Sequence, residues 1–144
     1  AALKNVNLCV PSGCFFGIIG HTGSGKSTFL QDISREKKLL DDLVDKLYKL
    51  PGLIINGSHQ APHILSLAIA GLPTQNSINI LQDAGICVSA GSACAKGHRS
   101  HVMTAMNQPP EVIDSSFRVS LCRDTTAEEI DALVKGIQQV LDRF

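Results

Sequence analysis

Hydrophobic positions along the chain fall into short alternating runs and longer helical stripes. Residues 5–10 (NVNLCV) alternate apolar and polar as a half-buried strand does, and Pro11-Ser12-Gly13 marks the turn after it. Residues 14–19 (CFFGII) form a nearly continuous apolar run, the pattern of a strand covered on both faces. From Lys26 to Leu50 there is neither Gly nor Pro, and Leu30, Ile33, Leu40, Leu43, Val44, Leu47 and Leu50 keep one helical phase. That spacing predicts one helix of about 25 residues, stopped by Pro51-Gly52. Two strands are expected next, near Leu53–Asn56 and Ile64–Ala70. Pro73 opens a helix with Ile78, Leu81 and Ala84 on one face, and Gly85 stands where a left-handed cap belongs. Ile86–Ser89 reads as a strand, Gly91–Gly97 as a loop, Ser100–Met106 as a short helix and Ser116–Cys122 as a strand. The last helix starts at Thr125 or Thr126, each followed three residues later by Glu, the capping-box spacing. Its stripe is Ile130, Leu133, Val134, Ile137, Val140 and Leu141. The expected fold is α/β: a single layered domain, a mixed sheet with flanking helices, and a glycine loop leading into one long helix.

Composition narrows the function classes. The 144 residues carry 13 Lys and Arg against 13 Asp and Glu, so no basic excess exists to hold a nucleic acid backbone. No apolar run approaches the ~18 residues of a membrane span, and the start lacks the layout of a signal peptide. Aromatics make up 4% with no Trp, which argues against stacking on single-stranded nucleic acid. The chain is expected in the cytoplasm as a monomer or a homodimer, and its expected partner, a small anionic ligand, rests on the glycine loop of residues 20–27. Five cysteines (Cys9, Cys14, Cys87, Cys94 and Cys122) are odd in number and form no Cys-x-x-Cys pair, so neither a full disulfide framework nor a zinc ribbon fits. Cys9, Cys87 and Cys122 lie in apolar, strand-like runs and read as small core hydrophobes.

Two segments carry chemistry. Gly20-His21-Thr22-Gly23-Ser24-Gly25-Lys26-Ser27 matches G-x-x-x-x-G-K-[ST] at every fixed position, between an apolar strand and a helix. In that context backbone N–H groups turn inward around an anion, and the helix start adds partial positive charge. Lys26 would reach the β- and γ-phosphates, Ser27 would ligate Mg²⁺, and Thr28 would complete the phosphate contacts. The second segment, residues 85–97 (GICVSAGSACAKG), places Cys94 in a loop of small residues after a strand. Lys96, His98, Arg99 and His101 follow within seven positions, and cationic neighbours favour thiolate over thiol. Cys94, His98 and His101 also offer C-x₃-H-x₂-H spacing, although three ligands leave a zinc site incomplete.

Residues 2–33 (ALKNVNLCVPSGCFFGIIGHTGSGKSTFLQDI) resemble the start of the nucleotide-binding domain of ABC transporter ATPases. That resemblance implies ATP with Mg²⁺ at the glycine loop. The Asp-Glu strand end, Gln loop, LSGGQ-type signature and switch His of that family do not follow, so hydrolysis is not expected. From about Arg35 to Phe144 the chain resembles the C-terminal part of a cysteine desulfurase of the NifS type, carried by PGLIING, HILSLAIAG, GICVSAGSACAKG, SHVMTAM and SSFRVSLCRDTTAEEID. The resemblance implies that Cys94 is the thiol that takes sulfur from a cofactor-bound substrate, and that Arg118 holds the substrate carboxylate. The family's cofactor is pyridoxal phosphate. No His-Lys dipeptide of the kind that carries its Schiff-base Lys occurs here, so the cofactor is not expected and Cys94 and Arg118 read as an inactive remnant. The two resemblances meet near residues 33–36, dividing the chain into 1–34 and 35–144 within one compact domain. The expectation is an engineered chimera that is not an enzyme and retains weak phosphate or nucleotide binding. The alternative is a reactive thiol, or a persulfide carried on Cys94.

Overall fold

Helix phase, strand alternation and turn chemistry fix a small α/β structure, obtained as a computed structural model that describes residues 26–58, 61–90 and 99–144. Helix α1 runs Lys26–Leu47 and buries Leu40, Leu43, Val44 and Leu47, while Leu30 near its start is exposed. It ends three residues before the expected Leu50. The N–H of Lys49 donates to Lys46 O and that of Leu50 to Leu47 O, so the helix tightens before Pro51, and Gly52 takes φ +87°.

Three strands follow the expected pattern: β1 (Leu53–Asn56), β2 (Ile64–Ile69) and β3 (Ser116–Ser120). They pair antiparallel in the order β1-β2-β3. The mixed sheet expected from the sequence is thus antiparallel among the described residues, and the expected strands within 5–19 lie outside them. Leu65, Leu67 and Ile69 of β2 and Phe117 and Val119 of β3 turn to one face of the sheet. There they join α1, α2 (Thr74–Asp83) and α5 (Ala127–Arg143) in the main core, with Leu81, Ile130, Leu133, Ile137 and Val140 fully or almost fully buried. On the opposite face Ala68 packs with Met103 and Val112, from the short helices α3 (His101–Ala105) and α4 (Pro110–Asp114). The sheet is therefore a middle layer with helices on both sides.

Several expectations change. Ile86–Ser89 does not form a strand, and only Ser89 bridges to Arg118. Helix α4, with proline at its first position, was not read from the sequence because its five residues are too few for a helical stripe. Cys87 and Cys122 are exposed rather than core. Each occupies the polar phase of its run, between Ile86 and Val88 in one case and directly after the buried Leu121 in the other. Cys9 and Cys14 lie outside the described residues.

One device starts α5 and another ties it to α1. Thr126 caps it as expected, its side chain accepting from Glu129 N–H while the Glu129 carboxylate accepts from Thr126 N–H. The Arg35 guanidinium donates to the carbonyls of Arg123 and Thr125, joining α1 to the loop that launches α5. Truncating Ile137, which is fully buried, is expected to cost about 2–5 kcal/mol as Ile137→Ala. Thr126→Ala should cost about 1 kcal/mol through loss of the cap. Urea unfolding midpoints of the two variants check both values and their order.

Candidate active site

Cross-strand register assembles the site. Asn56 of β1 stands opposite Ser66 of β2, and Ser66 stands opposite Arg118 of β3. The three form one polar row on the sheet face turned away from the main core. Two residues along, the parallel row Ile54, Ala68, Ser116 meets Met103 and Val112. Over the polar row the cover is incomplete, and a cavity of about 510 Å³ opens there. Asn56, Ser66 and Arg118 contribute to its wall, with Arg99, Met103 and Met106 among the residues across from them.

The two guanidinium groups of the cavity differ in availability. Arg99 is engaged: its Nε donates to Asp114 Oδ1 at 2.8 Å and its Nη2 to Asp114 Oδ2 at 2.6 Å. These hydrogen bonds hold the Asp114 carboxyl below the usual carboxylate range and raise Arg99 further above its own. Arg118 is half-buried, its Nε is shielded from solvent without a hydrogen-bond partner, and it forms no ion pair among the described residues. A guanidinium left in this condition is a ready receptor for a planar carboxylate, which it can bind through two parallel hydrogen bonds.

The carboxamide of Asn56 is almost fully buried. Its Nδ2 donates to Ser66 Oγ and to Ser116 Oγ, both at 3.3 Å, and its Oδ1 has no partner. Ser116 passes its own proton on to the carbonyl of Val112. Asn56 and Ser66 were not singled out from the sequence. The available signal was Ser66 itself, the one polar residue within ILSLAI, and Asn56 immediately before Gly57, whose φ is +79°.

Other expected site residues fall in different places. Cys94 lies in 91–98, outside the described residues, as do Lys96 and His98. Ala90 and Arg99, on either side of that segment, both line the cavity. Arg99, expected to support the Cys94 thiolate, is instead neutralised by Asp114. His101 is exposed at the start of α3, and among the described residues no group of three His, Cys, Asp or Glu could hold a metal. Of the glycine loop, Gly20, His21, Thr22, Gly23, Ser24 and Gly25 lie outside the described residues, and Lys26, Ser27 and Thr28 form the first backbone turn of α1. Among the described residues no helix is long and apolar enough to cross a membrane.

Residues 25–133 match the family model of class-V aminotransferases. A cysteine desulfurase from a Nostoc strain is 32% identical over 136 residues, covering 87% of this chain and 34% of the relative. The cysteine desulfurase IscS of Methanosarcina thermophila is 30% identical over 135 residues, covering 87% of this chain and 33% of the relative. Among solved structures, a NifS-like protein from Rickettsia africae superposes with a TM-score of 0.68 at 28% identity, covering 83% of this chain and 33% of that one. The chain thus spans about a third of the length of these relatives. The family match begins at residue 25 and runs through the junction expected at 33–36, so the chimera, the ATPase fragment and ATP binding find no support in it. The expectation of a non-enzyme is also corrected, because the relatives are cysteine desulfurases, which are enzymes.

Pyridoxal phosphate, the cofactor the family implies, finds a poor match in this cavity. No lysine for a Schiff base occurs among its described lining residues, and Phe117 turns its ring into the main core. These residues fit a carboxylate and do not fit as holders of the cofactor.

A second thiol bears on any labelling of Cys94. The Thr125 hydroxyl donates to Cys122 Sγ at 3.6 Å and accepts from Cys122 N–H at 3.0 Å, and this contact pulls the exposed Cys122 thiol below its ordinary range. A lowered thiol pKa means more thiolate at a given pH, so alkylation starts at lower pH. Thr125→Ala is expected to move the pH profile of Cys122 alkylation upward, as read by peptide mapping with iodoacetamide.

Proposed function

Because the chain belongs to the class-V aminotransferase family, we propose that it supplies the substrate-anchoring and sulfur-accepting portion of a cysteine desulfurase. The observation that carries this reading is Arg118, an unpaired and partly buried guanidinium in the wall of a cavity whose only other described guanidinium is already neutralised. Its role is to hold the carboxylate of L-cysteine. Burying a charged group is favourable only when it is paired and hydrogen-bonded, so this guanidinium gains most from a charged, bidentate partner. Fixing the carboxylate at one end directs the substrate thiol away from the sheet. Cys94, on a segment whose two neighbours line the same cavity, is the acceptor. Its sulfur bonds to the substrate sulfur as the substrate Cβ–S bond breaks. The carbon keeps the electron pair, takes a proton and leaves as alanine, and Cys94 is left as a persulfide.

Pyridoxal phosphate, when bound, supplies the electron-accepting chemistry of such a reaction. The described residues lining this cavity do not serve as its holders. What the present residues contribute is binding, orientation and a nucleophile.

Amide chemical shifts of Ser66, Arg118 and Ser89 report ligand entry directly. L-cysteine is expected to shift them saturably, whereas cysteamine, the same molecule without its carboxylate, should not. Arg118→Lys keeps the charge but loses the fork, and should weaken cysteine binding by roughly tenfold or more. Equal responses to cysteine and cysteamine would overturn the assignment.

A further inference from the structure

The polar row contains a second donor beside Arg118. Ser66 is its register partner, so their Cα atoms lie about 4.5–5.5 Å apart and their side chains leave the same face of the sheet. One lone pair of Ser66 Oγ is taken by Asn56 Nδ2 at 3.3 Å. The hydroxyl proton of Ser66 has no acceptor among the described residues, and Ser66 lines the cavity. Asn56 accounts for that arrangement. It is 93% buried by its 7% exposure, and its Nδ2 bridges the hydroxyls of Ser66 and Ser116. Ser116 discharges its proton onto Val112 O. Ser66 has no such outlet, so with its inner side occupied its proton is left to the cavity.

Accepting from the buried Asn56 carboxamide accounts for a lone pair of Ser66 but not for its proton. Ala68, two residues along on the same face, is fully buried against Met103 and Val112, so a small apolar side chain suits this face of β2. An exposed serine would be satisfied by water. This one is half-buried in a strand that is otherwise apolar, next to the unpaired guanidinium.

We propose that Ser66 donates its hydroxyl proton to the substrate carboxylate held by Arg118, and that Asn56 is the positioning residue that turns this proton toward the ligand. The inference rests on the reading of Arg118 as the carboxylate anchor. It adds a neutral donor to the charged one, so that the carboxylate is recognised by geometry as well as by charge.

The test compares Ser66→Thr with Ser66→Val. The two side chains share shape and strand preference and differ in the hydroxyl alone. Each is titrated with L-cysteine and with cysteamine, followed by the amide shifts of β3, with thermal unfolding to verify that both fold. Ser66→Thr is expected to keep the preference for cysteine, and Ser66→Val to bind cysteine roughly tenfold more weakly with cysteamine unchanged. Asn56→Ala, which leaves the hydroxyl in place but removes its guide, should reduce cysteine affinity by a smaller factor. Equal cysteine affinity in Ser66→Thr and Ser66→Val overturns the proposal. If Arg118→Ala abolishes the preference for cysteine in the same series, the anchor stands and only the Ser66 role falls. If Arg118→Ala keeps that preference, the anchor itself is wrong.

Discussion

The register of β2 against its two neighbours is the constraint on which the site depends. Leu65, Leu67 and Ile69 seal one face of the central strand against α1, α2 and α5. With a side-chain period of two, a slip of one residue would carry these three to the cavity and drive Ser66 into the core. The same slip in β3 would exchange Phe117 for Arg118, burying an unpaired guanidinium. The core therefore fixes more than stability, since it determines that Asn56, Ser66 and Arg118 align on one row. No loop is needed to bring the three together, and their spacing is that of the sheet itself.

The opposite face shows how incomplete packing becomes chemistry. Helices α3 and α4 are five residues each, enough to cover the row of Ile54, Ala68 and Ser116 with Met103 and Val112. Beyond that row the sheet is open to the cavity, and two polar atoms, Asn56 Oδ1 and Arg118 Nε, are left without partners. Buried polar groups in folded proteins are nearly always satisfied, so such a pair marks a place where the fold gives up internal hydrogen bonds to something that binds. The Arg99–Asp114 pair performs the opposite task at the same cavity, removing a second cation that would compete for an anionic ligand.

Elements with a sustained period were legible in the sequence. The stripe of α5, its Thr126 cap, the buried phase of α1 and the alternation of β3 all follow from residue spacing, whereas Arg118 was reached only through the family resemblance of the SSFRVS run. The antiparallel pairing was not legible, because strand alternation says which face is apolar and not which strand lies beside which. Asn56 and Ser66 gain meaning only from that pairing. Cys87 and Cys122 were misread because an apolar neighbourhood in sequence does not say which phase of the alternation is buried. Residues 2–33, with the glycine octapeptide among them, resembled an ATPase start, yet the class-V aminotransferase match begins at the last glycine of that octapeptide and runs on through the expected junction.

Ala90 and Arg99 both line the cavity, and that fact has a kinetic meaning for the thiol between them. Cys94 is four residues from Ala90, so covalent geometry alone keeps the two within about 14 Å, whatever path the chain takes. A reactant tethered at both ends over so short a length behaves as though present at millimolar concentration or above. Its encounter with a carboxylate held on Arg118 as proposed is therefore intramolecular, independent of the amount of protein. Lengthening the segment would dilute the thiol only slowly, because closure entropy grows with the logarithm of loop length. Anchoring at Ala90 and Arg99 is what keeps Cys94, the sulfur acceptor proposed above, local to the cavity.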